Sequence, residues 1–153
     1  QTFTSNTVSL RNYDSKDLLR MSLSFKKGDS FQDLYLILLS DQNNFISEIE
    51  PYFNSGVNFH FLLDSNETIV LNNVSNYTFD RIDSCLFEGI RIHMDLGILK
   101  KIVEANNVDY RITGNYKLAE SYFDKRLTCL FGSFYNVISD NDFKKSTVFN
   151  FAH

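Results

Sequence analysis

Leu19-Arg20-Met21-Ser22-Leu23-Ser24-Phe25, followed by Leu34-Tyr35-Leu36-Ile37-Leu38-Leu39, decides the fold class. In the first stretch a large apolar residue falls on every second position, the period-2 signature of a strand with one buried and one wet face. The second stretch has no alternation, as a strand covered on both faces would, and reads as the central strand. Lys26-Lys27-Gly28-Asp29-Ser30 turns between them, and Ser40-Asp41-Gln42-Asn43-Asn44 closes the pair. Upstream the chain is polar. Val8, Leu10 and Tyr13 read as a short edge strand, with the first few residues frayed.

Downstream, Phe45 to Ser55 reads as a packed loop around Pro51. Phe59, Phe61 and Leu63 alternate with Asn58, His60 and Leu62, and Thr68 to Leu71 returns after Asp64-Ser65-Asn66, which is a hairpin. A polar loop from Asn72 to Ser84 precedes a strand from Leu86 to Met94. Asp95 stands where a helix N-cap belongs, Leu96, Leu99, Ile102 and Val103 recur at helical spacing, and Asn106-Asn107 offers a left-handed stop. Val108, Tyr110 and Ile112 then alternate with Asp109, Arg111 and Thr113. This strand, helix, strand order is just long enough for a parallel crossover. Ser121 and Asp124 have capping-box spacing, and Phe123, Leu127, Leu130, Phe131, Phe134 and Ile138 form an apolar stripe, so a helix is expected from Tyr122 to about Ile138. The sum is an α+β domain: a mostly antiparallel twisted β-sheet or open sandwich of six to eight strands, with two helices packed on one side. Residues 1–17 are expected as an N-terminal arm or edge strand, 18–140 as the single domain, and 141–153 as a C-terminal tail.

The composition supports one core. Of 153 residues 43% are hydrophobic and 15% aromatic, with 15 Phe and 8 Tyr, and Leu, Ile, Val and Phe make up a third, well above the roughly 20% at which chains fail to collapse. A net charge of −4 and a pI near 5.3 argue against nucleic acid as a partner, because non-specific phosphate binding rests on Lys and Arg. The longest apolar run is far short of the ~20 residues that cross a bilayer as a helix. The chain begins at Gln1, as expected of a mature form that has lost a targeting segment or of a trimmed chain. Cys129 falls nearly opposite the apolar stripe of its helix, away from Cys85, so two free thiols are expected. The sequons at Asn66, Asn73 and Asn76 are close to the ~2.5 that chance supplies in a chain this rich in Asn, Ser and Thr.

Catalytic templates are missing from the sequence: it has no Gly-rich phosphate loop, Gly-x-Ser-x-Gly elbow, Cys-x-x-Cys pair or His pair at helical spacing. The remaining constellation depends on register. If the strands around His60, Ile90 to Met94 and Val108 to Ile112 share one sheet, then His60, Arg91, His93, Asp109 and Arg111 all point away from the core. Two imidazoles with Asp64 or Asp109 could then hold a metal, although an ordinary solvated face is the simpler reading and no cofactor is expected. Glu48 with Glu50, and Asp80 with Asp83, could pose as acid–base pairs, but surface loop charge accounts for them equally.

The ordered motifs Arg20 to Phe25, Leu34 to Leu39, Phe59-His60-Phe61-Leu62-Leu63-Asp64, Leu99 to Ala105 and Val108 to Gly114 resemble a group of uncharacterised bacterial domains, often found behind export signals or lipid-anchor sites. The resemblance covers about Leu18 to Ile138. It implies an exported or envelope domain, with a cytoplasmic location as the alternative, built as a β-rich sheet with helices and without a catalytic residue to carry over. Such domains often place Gly after the Asp of the third strand, where this chain has Ser65-Asn66. The expected function is a non-catalytic protein-interaction or structural role. A small-ligand binding module comes second, and a metal-dependent hydrolase using His60 and His93 third.

Overall fold

The computed structural model describes residues 1–10, 18–43, 53, 57–83, 85–114 and 118–139. The expected loop around Pro51, apart from Phe53, and the expected tail lie outside the described residues, as do Glu48, Glu50 and Tyr13. Among the described residues the fold is α+β and β-rich: ten strands in two antiparallel sheets, and two helices. The larger sheet holds β1 (Thr2–Thr4), β2 (Val8–Leu10), β3 (Leu18–Lys27), β4 (Gln32–Asn43), β7 (Val74–Ile82) and β8 (Cys85–His93). Its order is β1-β3-β4-β8-β7, with β2 also on β3. The smaller sheet holds β5 (Asn58–Leu63), β6 (Glu67–Leu71), β9 (Val108–Thr113) and β10 (Leu118–Tyr122), in the order β10-β9-β5-β6. The helices are α1 (Leu96–Glu104) and α2 (Lys125–Ser139).

The alternating residues do what their spacing requires. Met21, Leu23 and Phe25 pair with Leu38, Leu36 and Leu34, and Leu36 and Leu38 pair in turn with Ile92 and Ile90, so one face of the larger sheet is a continuous apolar layer. In the smaller sheet Phe59, Phe61 and Leu63 face Ile112, Tyr110 and Val108. These layers join Leu99 and Ile102 of α1 and the α2 stripe in one contiguous core. α2 touches both sheets: the Phe131 ring lies 6.3 Å from Phe61, and Arg126 donates to the Ser9 carbonyl of β2 at 3.0 Å.

Several sequence expectations are corrected. The strands on either side of α1 do not form a parallel pair, because β8 and β9 belong to different sheets. The supposed polar loop after Asn72 is β7; at the sheet margin most of its side chains are exposed, and the burial that creates alternation is missing. Ser40 to Asn43 continue β4, with Ser40 and Gln42 buried. Ser22 and Ser24, expected on a wet face, are buried opposite the larger Ile37 and Tyr35. The first residues are paired rather than frayed, since Thr2–Thr4 lies along β3 with Phe3 buried.

Both margins of the larger sheet carry one extra residue. Phe3 faces Phe25 and Val8 faces Met21, so five steps along the margin match four along β3, and both apolar residues reach the same face. Ser5 closes the gap: its amide donates to the Leu23 carbonyl at 2.9 Å and its Oγ accepts the Leu23 amide at 2.8 Å. On the other margin the β7–β8 register shifts between Val74 and Asn76.

The helix ends also differ from expectation. Asp95 occupies the N-cap of α1, but its side chain makes no capping bond; its carbonyl accepts the Ile98 and Leu99 amides. No left-handed Asn ends α1. The chain extends at Ala105, and Asp64 Oδ1 accepts the Asn106 and Asn107 amides at 2.9 Å each. Asp64 and Ser65 both have positive φ, 51° and 61°, and the Asn66 amide donates to the Leu63 carbonyl, so the tight turn between β5 and β6 holds two left-handed residues without glycine. α2 begins at Lys125, with Asp124 as its cap, while Ser121 and Tyr122 belong to β10. Asp124 Oδ1 accepts the Leu127 amide at 3.1 Å and Oδ2 accepts Arg126 Nη2 at 3.0 Å.

Burial alone would push the Asp124 carboxyl up, but the Leu127 amide and the Arg126 guanidinium outweigh it and hold its pKa below the ordinary value. A depressed folded-state pKa stabilises the protein fully above the unfolded value of about 3.9, and the gain is lost as pH falls through the folded value. Asp124→Ala should therefore lower stability at neutral pH by about 1 kcal/mol in denaturant titrations. The gap between the natural chain and Asp124→Asn should narrow below about pH 4. Gly132, inside α2, has no neighbour within 4 Å of the position a Cβ would take. Gly132→Ala should raise unfolding stability by about 0.5–1 kcal/mol, because the helix gains propensity without a clash.

Candidate functional site

On the smaller sheet, the face turned from the core is an ordered grid. Cross-strand register sets Val70, His60, Arg111 and Glu120 in one row across β6, β5, β9 and β10. The next row is Thr68, Leu62, Asp109 and Tyr122. Side chains opposite one another on antiparallel strands share a face, so the period-2 pattern that buries Phe61 and Tyr110 also presents His60, Asp109 and Arg111. Together with Leu62, Thr68 and Glu120 they line an open concavity of about 470 Å³.

Its charges are organised. Arg111 donates to Glu120 Oε2 through Nε at 3.1 Å and Nη2 at 3.0 Å. Both side chains are more than half exposed, so the pair contributes at most about 1 kcal/mol to stability and serves mainly to hold the guanidinium in place. His60 is half-buried between Val70 and Arg111, and Asp109 is exposed between Leu62 and Tyr122. Val70 and Tyr122 expose 47% and 49% of their surface, which places apolar area at opposite margins of the grid.

The five residues singled out from the sequence therefore divide. His60, Asp109 and Arg111 meet on the smaller sheet, whereas Arg91 and His93 belong to the larger one. The single-sheet premise fails because β8 pairs with β4 and β7, not with β5 or β9. There Arg91 lies over the Tyr35 ring at 5.2 Å, and His93 meets the same ring edge-on at 5.7 Å. His60 and His93 stand on separate sheets, so the shared sheet that the two-imidazole reading assumed does not form. Among the described residues no three His, Cys, Asp or Glu side chains gather in a metal-binding arrangement. Asp80 and Asp83 are exposed at the end of the β7–β8 hairpin, and both cysteines are free.

The sequence reading missed a polar group inside the larger sheet. Glu88 is 3% exposed and accepts the Tyr77 hydroxyl at 2.7 Å and the Phe53 amide at 3.3 Å. Ser40 faces it across the ladder. Glu88 falls in step with Leu86, Ile90 and Ile92, and that in-phase position was the available signal. It also missed Glu120 and Tyr122, which it assigned no strand.

A thermal melt with zinc and again with chelator should give the same midpoint, for the natural chain and for His60→Ala alike. Only a species that prefers the folded state raises apparent stability, by about 2.7 kcal/mol at a hundredfold excess over its dissociation constant, and a zinc-dependent rise lost in His60→Ala would overturn the geometry. No protein-family model, curated protein or solved structure matches the chain.

Proposed function

We propose that the protein is a non-catalytic interaction domain whose protein partner docks on the exposed face of the smaller sheet. The observation that carries this reading is the eight-residue grid, in which Arg111 and Tyr122 stand beside Leu62 and Val70 with acids at hand. Aromatic and Arg side chains dominate binding energy at protein interfaces, and a guanidinium already held by Glu120 loses little freedom on docking. The mixed charge of the face and the net charge of −4 disfavour nucleic acid. An open-sandwich arrangement, with both helices on one side, suits this role because it leaves one sheet face uncovered. The motif resemblance supports a bacterial exported or envelope location. A small-ligand role for the same face is the second reading, favoured by a concavity of about 470 Å³, within the range of ligand sites at roughly 300–1,000 Å³.

A photo-crosslinking residue in place of Val70, in the native cell, should trap one discrete protein adduct that disappears with Arg111→Glu. The same residue in place of exposed Asp29 should trap none. Equal adducts from both positions, or none from Val70, reject the docking face. An impermeant maleimide added to spheroplasts should label exposed Cys129; labelling only after lysis rejects the exported location.

A further inference from the structure

The exposed grid of the smaller sheet is complementary to itself. A two-fold axis lying across the strands, midway between the two rows, sets each side chain of one copy against its row neighbour's counterpart on the same strand of the other. Arg111 then meets Asp109 of the second copy, and Asp109 meets its Arg111. Val70 meets Thr68, Tyr122 meets Glu120, and His60 meets Leu62, each twice, and no like charges oppose one another. The other in-plane axis, along the strands, sets Arg111 against His60 and Asp109 against Leu62, which leaves the carboxylate without a partner.

Three observations on this face fit the transverse axis. Asp109 has no ion pair among the described residues, and Arg111 gives only Nε and Nη2 to Glu120, so its Nη1 is left to donate outward. The exposed Val70 and Tyr122 stand at the two margins. The axis brings Val70 beside Val70 at one margin and Tyr122 beside Tyr122 at the other, which closes the concavity between them from water. Finally, the usual crossing of about 30° between packed sheets displaces the outer strands most and the central β5 and β9 least, and β9 carries both charges of the reciprocal pair. Stacked sheets lie about 10 Å apart, a gap that an arginine and an aspartate reaching from opposite sides fill.

We propose that the occupant of this face is a second copy of the chain, packed face to face about that axis, with two reciprocal Arg111–Asp109 ion pairs near its centre. The inference rests on the docking reading of the face and names its partner. Four strands about 4.8 Å apart, each about 17–20 Å long, cover roughly 300–400 Å² in plan. Even with its side-chain relief that falls below the roughly 800 Å² per partner of a standard interface, so the dimer is weak and depends on concentration.

Sedimentation equilibrium of the full chain, from about 10 µM to about 1 mM, should show a monomer–dimer equilibrium that weakens with added salt. Asp109→Arg puts two cations at each central contact and Arg111→Glu puts two anions there, so either change alone should weaken the dimer by about tenfold or more. In an equimolar mixture of the two variants each central contact again joins opposite charges, and the dimer should return as a heterodimer. Such recovery excludes misfolding as the cause of either loss. A natural chain that stays monomeric across the range, single variants that dimerise as well as it does, or a mixture that stays monomeric overturns the proposal. If the natural chain is monomeric, capture of a different protein from Val70 in the cell leaves the docking face standing, whereas no capture rejects that face as well.

Discussion

The rings of Phe61, Phe123 and Phe131 are the joint on which the rest of the molecule depends. Phe123 lies 4.8 Å from Phe131 and 6.0 Å from Phe61, in tilted and edge-on arrangements. Such pairs contribute about 0.5–1.5 kcal/mol each beyond the area they bury. Their position matters more than the sum. Phe61 belongs to the smaller sheet, Phe123 to the connection after β10, and Phe131 to the helix that reaches β2 through Arg126. Without this joint each sheet would turn an unpaired apolar face to water.

What sequence reasoning could reach follows from where burial is one-sided. β3, β5 and β9 each have one face in the core, so their side chains alternate visibly, and the α2 stripe is legible for the same reason. β7 was hidden because an outer strand with few buried residues has no pattern to show. The end of β4 was hidden because Ser40 and Gln42 are polar residues at core positions. The parallel crossover failed for a different reason: periodicity reports which face is buried but not which strand is the neighbour. The same gap split the candidate site. Alternation correctly placed His60 and Arg111 on an outer face, but the partition into two sheets, which parts them from Arg91 and His93, is written in long-range pairing that no local window contains.

The turn chemistry shows how one carboxylate can replace several local signals. Asp64 adopts a left-handed backbone conformation, which Asp tolerates better than most residues. From there it gathers the two amides that follow α1, while its own amide donates to the Asn107 carbonyl at 2.9 Å. The β5–β6 hairpin is thereby tied to the α1–β9 junction. A local reading of Asn106-Asn107 as a helix stop found the right place and the wrong agent.

The extra residues on both margins of the larger sheet affect how the protein behaves at high concentration. A long, flat outer strand offers a row of unpaired amides and carbonyls, a template on which another chain can add. Here one margin is broken into two three-residue pieces, with a serine hydroxyl standing in for part of the ladder, and the other bends at Ser75. Neither margin is a regular edge along its whole length. A chain whose core is this rich in phenylalanine and β-strand would otherwise be prone to stack into fibrils, and the two irregularities, with exposed Asp80 and Arg81 on β7, give it colloidal protection without a proline in either edge.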